Sequence, residues 1–179
     1  EFTWVDMGNG QYHYGVEVDN LQFSVPSAGR GIVVGQNASP TLLNNVVANF
    51  DVGVEVHPTS GSTVVAHGVY QDNDVNLQGT FPDDFSFFLA PGEPLFVDPA
   101  HANFYPDEGS RVIDSSINLL GDRPAMTKVT DDLGIPPSPI LAPERDLYGQ
   151  LRVDDPAVES PPGLGEKIFK DRGAIDRAD

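Results

Sequence analysis

Ser39-Pro40-Thr41-Leu42-Leu43-Asn44-Asn45-Val46-Val47-Ala48-Asn49-Phe50 is answered 22 positions later by Gly61-Ser62-Thr63-Val64-Val65-Ala66-His67-Gly68-Val69-Tyr70-Gln71-Asp72. The same offset relates Gly31-Ile32-Val33-Val34 to Gly53-Val54-Glu55-Val56. A fixed period in the low twenties, with short β-branched runs between polar corners, is the pattern of a stacked β-coil. Each coil would hold two or three short strands that pair with the coils above and below.

Working outward, strands are expected over residues 14–18, 31–34, 45–48, 52–56, 63–65 and 75–77. Val54 and Val56 fall on one face with Glu55 on the other, the period-2 pattern of a half-buried strand. Ser-Ala-Gly-Arg, Asn-Ala-Ser-Pro, Pro-Thr-Ser-Gly and Gln-Asp-Asn-Asp separate the strands and supply turn chemistry. The intervals are too short for covering helices, and tight Asn-Gly or Asp-Gly hairpin turns are missing at the expected places between these strands. Asn44, Asn45 and Asn49 are placed at corners. The fold class predicted is all-β, a right-handed parallel β-helix end with a long irregular C-terminal wrapping tail.

Three regions follow. Residues 1–78 hold the coils, and 79–120 form a closing coil and cap with six of the ten phenylalanines. Residues 121–179 are a Pro/Gly-rich tail packed on the coils. Its expected anchors are Ile140, Leu141, Leu147, Tyr148, Leu151, Val153, Ile168 and Phe169, and its cations are expected to dock on the acidic coils.

Composition narrows the function. The 179 residues carry a formal charge of −17. Between Arg30 and Arg111 there is no Lys or Arg, against ten carboxylates. Such a surface repels phosphate backbones, which excludes nucleic acid. No stretch is long and apolar enough for a membrane span. With no cysteine, thiol chemistry and thiolate metal sites are excluded. The chain begins with Glu, and the expectation is a module of something longer.

Leu95-Phe96-Val97-Asp98-Pro99, Asn103-Phe104 and Gly109-Ser110-Arg111-Val112-Ile113-Asp114 precede Asp146-Leu147-Tyr148-Gly149-Gln150-Leu151-Arg152 and Asp171-Arg172-Gly173-Ala174-Ile175-Asp176. In this order they resemble the closing segments of right-handed parallel β-helix repeat proteins of the pectin-lyase-like superfold. The resemblance covers roughly residues 30–179, with few coils and an insertion at about 117–143. It implies the end of a β-helix within a large bacterial surface or secreted protein of planctomycete type.

Enzymes of that superfold include pectate lyases and polygalacturonases, and polygalacturonase-like hydrolysis needs paired acids with His and basic residues. Asp83-Asp84 sits in an expected loop, and neither it nor His67-Gly68 is accompanied by the basic cluster an anionic sugar needs. His13, His57, His67 and His101 lack metal-ligand spacing and are read as corner or surface residues. No catalytic residue is expected. Asp72, Asp74 and Asn76 have the 1-3-5 oxygen spacing of a calcium loop and are the candidate ligands of a structural calcium ion, without the Gly and Glu of an EF-hand.

The expectation is therefore a non-catalytic structural or adhesive module of an extracellular or cell-surface assembly, whose partners are neighbouring modules or subunits. The alternative is a carbohydrate-binding or polysaccharide-lyase-like domain, with a glycan groove lined by Tyr12, Tyr14 and Tyr70.

Overall fold

A computed structural model describes residues 5–6, 12–13, 29–38, 40–118, 142–165 and 167–177. A short antiparallel pair, β1 (Val5–Asp6) and β2 (Tyr12–His13), lies at the start. The chain then passes through three sheets in turn. The first pass makes β3 (Arg30–Val34), β4 (Thr41–Leu43) and β5 (Val46–Ala48). The second makes β6 (Val52–Val56), β7 (Val64–Ala66) and β8 (Val69–Gln71). The third makes β9 (Val75–Gln78), β10 (Asp83–Asp84) and β11 (Phe87–Phe88).

Each strand pairs in parallel with the strand three places on, which gives the sheets β3-β6-β9, β4-β7-β10 and β5-β8-β11. The class is all-β with parallel sheets, an arrangement compatible with a β-helix-like fold. An antiparallel pair, β12 (Phe96–Asp98) and β13 (Asn103–Pro106), follows. The expected strand over 14–18 lies outside the described residues.

The repeat is less regular than the echo suggests. Ile32 pairs with Val54, 22 positions on. A longer corner in the second pass, containing the 3-10 turn Pro58–Ser60, then adds one residue, so Leu42 pairs with Val65 and Val46 with Val69 at an offset of 23. The third pass is shorter: Val65 meets Asp83 and Val69 meets Phe87 at an offset of 18. Asp83-Asp84 is thus a strand and not a loop, because β7 supplies the ladder that its own polar residues would not nucleate.

The corners explain several residues. Asn44 (φ 55°), His67 (φ 53°) and Phe85 (φ 57°) take the left-handed conformation at one corner on successive passes. Asn49 (φ 64°) and Asp72 (φ 52°) do the same at the next. Asn, Asp and His are the side chains most often found in that region, whereas a bulky Phe holds it only under tertiary constraint. The Phe85 ring stacks on His67, centroids 5.6 Å apart, and Phe88 stacks on Tyr70 at 5.5 Å. Close approach also sets Gly53, where an added Cβ would lie 2.6 Å from the Asn76 carbonyl oxygen.

Inside the passes, Val34, Leu42, Val47, Val54, Val56, Val65 and Tyr70 form one core. Val46, Ala48 and Val69 turn to the other face of their sheet and pack with Leu89, Leu95, Val112 and Ile113. Val64 and Ala66 likewise meet Ile117, with Leu164 beside it. Burial on both faces accounts for the unbroken apolar runs at 46–48 and 64–66, where a half-exposed sheet would alternate.

Candidate functional site

The residues that do the most chemical work are in the C-terminal tail, and they are polar. Asn44, at the first corner, offers its side-chain amide as if it were strand backbone. Its Nδ2 donates to the Ile117 carbonyl at 2.9 Å, and its Oδ1 accepts from the Ile117 N–H at 2.8 Å. The Gly173 N–H donates to the Asn44 carbonyl at 2.7 Å. One residue away, Arg172 is buried, and its guanidinium donates Nε to Ser115 O at 2.8 Å and Nη1 to Gly68 O at 3.2 Å and Phe85 O at 3.0 Å.

The tail therefore touches the same corner on the first, second and third pass. Phe87 carries both the Arg172 guanidinium, 3.8 Å from its centroid, and that of Arg111 at 4.2 Å. Burial, with the Arg111 charge adding, pushes Arg172 down to about 9, so it keeps its proton at neutral pH.

The Asp-x-x-Gly-x-x-Arg segment has a clear physical role. Asp146 Oδ1 accepts the N–H groups of Tyr148 and Gln150, both at 2.9 Å, and closes a turn in which Gly149 takes φ 79°. That turn delivers Arg152, which donates to Asp171 O at 3.0 Å and Gly173 O at 2.8 Å and lies 3.4 Å from Asp176 Oδ1. Three of the segments singled out in the sequence, 109–114, 146–152 and 171–176, thus meet in one network.

The tail is not held as expected. Leu147, Tyr148, Leu151, Val153 and Ile168 are exposed, and Phe169 is half-buried. Ile140 and Leu141 lie outside the described residues. Nor do the tail cations dock on acidic strands: Arg152 and Arg177 pair with the tail's own Asp176 and Asp155, and Lys167 and Lys170 both pair with Glu144. Those lysines hold the Glu144 carboxyl below its ordinary value. Arg172 reaches the corner of the parallel sheets and Arg177 reaches β13, both through carbonyl oxygens rather than carboxylates. The buried charges were invisible to composition because Asp and Arg ordinarily mark solvated surface.

The other candidates scatter. Asp72 and Asp74 are exposed, and Asn76 Oδ1 already accepts from Asn73 Nδ2 at 3.0 Å. Among the described residues no three His, Cys, Asp or Glu side chains converge as a metal site. Asp72 lines a shallow groove of about 370 Å³ with Asn49, Gln71, Glu93 and Asp107. His57 caps the 3-10 turn by accepting the Thr59 N–H at 3.2 Å, and His101 lies 2.8 Å from Asp98 Oδ2. His67 is a corner residue, and it is buried there.

Asp83 accepts from Ser86 Oγ, and Ser86 Oγ in turn accepts the Gly68 N–H at 3.1 Å. Tyr70 cannot line an open groove, because it is a core residue at 1% exposure. Burial and then the Asp83 charge push its hydroxyl above the ordinary range, against the Ser86 hydrogen bond. Tyr14 and the Tyr12 side chain lie outside what is described.

A second groove, of about 590 Å³, opens beside the Arg172 clamp on Phe87 and is lined by Phe87, Ser110, Arg111, Asp155, Val158 and Arg177, among others. Its cations are already engaged: Arg111 Nη1 lies 3.5 Å from Glu93, and Arg177 donates to Pro106 O at 2.9 Å. No helix among the described residues is long and apolar enough to cross a membrane. No family model, no curated protein and no solved structure matches the chain.

Proposed function

We propose that the chain is a non-catalytic structural or adhesive module: the C-terminal end of a right-handed parallel β-helix, closed by its tail, within a larger extracellular or cell-surface assembly. One observation carries the reading: Arg172 and Gly173 tie three successive passes together at one corner. A chain that invests buried guanidinium and carboxylate groups in fixing its own strands is built for rigidity. Its partners are then neighbouring modules or subunits. The pectin-lyase-like resemblance of the closing segments is part of the same proposal.

A second reading, carbohydrate binding, is favoured by Phe85 and Phe88, which are more than half exposed on the third pass and offer ring faces of the kind sugars stack on. A glycan array with the intact chain, run beside cross-linking of the chain in solution, separates the two. The structural reading expects self-association or partner capture and no saturable oligosaccharide binding. Saturable binding lost on Phe85→Ala or Phe88→Ala would replace it with the second, and turnover lost on Asp83→Asn or Asp84→Asn would make the chain an enzyme.

A further inference from the structure

We infer that docking of the C-terminal tail takes up protons at Asp114, Asp171 and Asp176, three members of a file of four buried aspartates, so that mild acid tightens the tail and alkaline conditions loosen it.

The file is Asp155, Asp114, Asp171 and Asp176, none more than 4% exposed. Each is linked to the next by its own backbone. The Asp155 N–H donates to Asp114 Oδ2 at 3.2 Å, the Asp114 N–H to Asp171 Oδ1 at 2.7 Å, and the Asp171 N–H to Asp176 Oδ1 at 3.2 Å. These links join the 114, 155 and 171–176 segments, which are far apart in sequence. The file is therefore a fastening of the same tail that carries Arg172.

Cations are too few for four anions. Arg152 lies 3.4 Å from Asp176, and Arg177 lies 3.7 Å from Asp155 while its N–H donates to Asp171 Oδ2 at 2.8 Å. Arg172 directs its guanidinium away, to Ser115, Gly68 and Phe85, and Arg111 turns to Glu93 and Phe87. Asp154 adds negative charge near Asp114, and Asp146 adds it near Asp176. Asp114 Oδ1 is buried with no hydrogen-bond partner among the described residues. An ionised carboxylate in that position, among like charges, carries an uncompensated desolvation cost that a proton removes.

The directions agree with this geometry. Burial pushes Asp114 up to about 7, with the charges of Asp154, Asp155 and Asp176 adding and the Asp155 N–H opposing. Burial pushes Asp171 up to about 8 against two backbone N–H groups, and it raises Asp176 as well. An aspartate in the free chain titrates near 3.9, so from about pH 4 to about pH 8 the docked tail holds protons that the undocked tail lacks. Docking is then strongest toward the acid end of that window and weakens as pH rises through it.

The experiment is hydrogen exchange on the intact chain at the Asp114, Asp171 and Gly173 amides, corrected for the intrinsic rate, from about pH 5.5 to about pH 8.5. Protection is expected to fall by about tenfold per pH unit for each proton taken up. Asp114→Asn keeps the shape and removes one titrating group, so its slope should be shallower by about one proton, with the tail still protected at the alkaline end. Should that variant not fold, the carbon-13 carboxyl resonance of Asp114 in the unmodified chain gives the same answer, with a midpoint near neutrality expected. Protection that stays flat across the range, an unchanged slope in Asp114→Asn, or an Asp114 midpoint near 4 would each overturn the inference.

Discussion

Arg172→Ala is the most informative single substitution, because one tail side chain makes contacts on two passes and at Ser115. It removes three charge-assisted hydrogen bonds, at 2.8, 3.2 and 3.0 Å, and the guanidinium resting 3.8 Å from the Phe87 centroid. Hydrogen bonds to a charged group contribute about 1.5–3 kcal/mol each, and a desolvated cation–π contact about 2 kcal/mol. Against that gain, alanine no longer has to bury a charge, which offsets several kcal/mol. The net expected loss is about 3–5 kcal/mol, a large share of the roughly 5–15 kcal/mol that holds a domain together.

Urea denaturation measures the total, and hydrogen exchange locates it. Protection should fall in the tail, over 163–177, and also at β10 and β11, because Arg172 holds the corner between them. Arg172→Lys keeps the charge but cannot fork to three carbonyls, so it should recover only part of the loss. A loss below about 1 kcal/mol for Arg172→Ala, or lost protection confined to the tail, would refute the clamp.

Three further outcomes follow from the same geometry. Gly53→Ala places a Cβ 2.6 Å from the Asn76 carbonyl oxygen and 3.3 Å from Asn73 Nδ2, and should cost about 1–3 kcal/mol in chemical denaturation; a neutral result would show that β6 and β9 are further apart. Val65→Ala, at a core position 1% exposed, should cost about 2 kcal/mol with no change in the denaturant slope. Calcium at Asp72, Asp74 and Asn76 would have to displace the Asn73–Asn76 hydrogen bond, so thermal melting should be the same with and without chelator. A chelator-induced drop that Asp72→Asn abolishes would establish the ion instead.

The legible part of the fold was the part carried by β-branched residues. β3, β5, β6, β7 and β9 were anticipated within a residue or two, as was parallel pairing across adjacent repeats. β4, β8, β10 and β11 were not: Asp83-Asp84 has no strand propensity of its own and pairs only because Val65 and Ala66 present a free ladder. The offset of 22 also concealed the slips to 23 and 18, because a lengthened corner changes register without changing the apolar pattern. Asn44 and Asn49 announced their left-handed corners, while His67 and Phe85 gave no such signal.

The tail was the least legible region. Its apolar residues suggested anchors, yet Leu147 and Tyr148 face solvent, and the anchoring belongs to Arg152, Asp171, Arg172 and Asp176. Nothing local distinguishes a buried aspartate from a solvated one. The ordered recurrence of Asp146, Gly149 and Arg152 was the available sign, and its physical content is a capped turn that aims a guanidinium at two carbonyls.

The central claim is that strands pair in parallel with the next pass rather than with their sequence neighbours. Cross-strand backbone NOEs in the 19.3 kDa chain test it directly. The account predicts contacts linking Ile32 with Val54, Val46 with Val69, and Val69 with Phe87. NOEs joining β5 to β6, or β8 to β9, as antiparallel hairpins would contradict it.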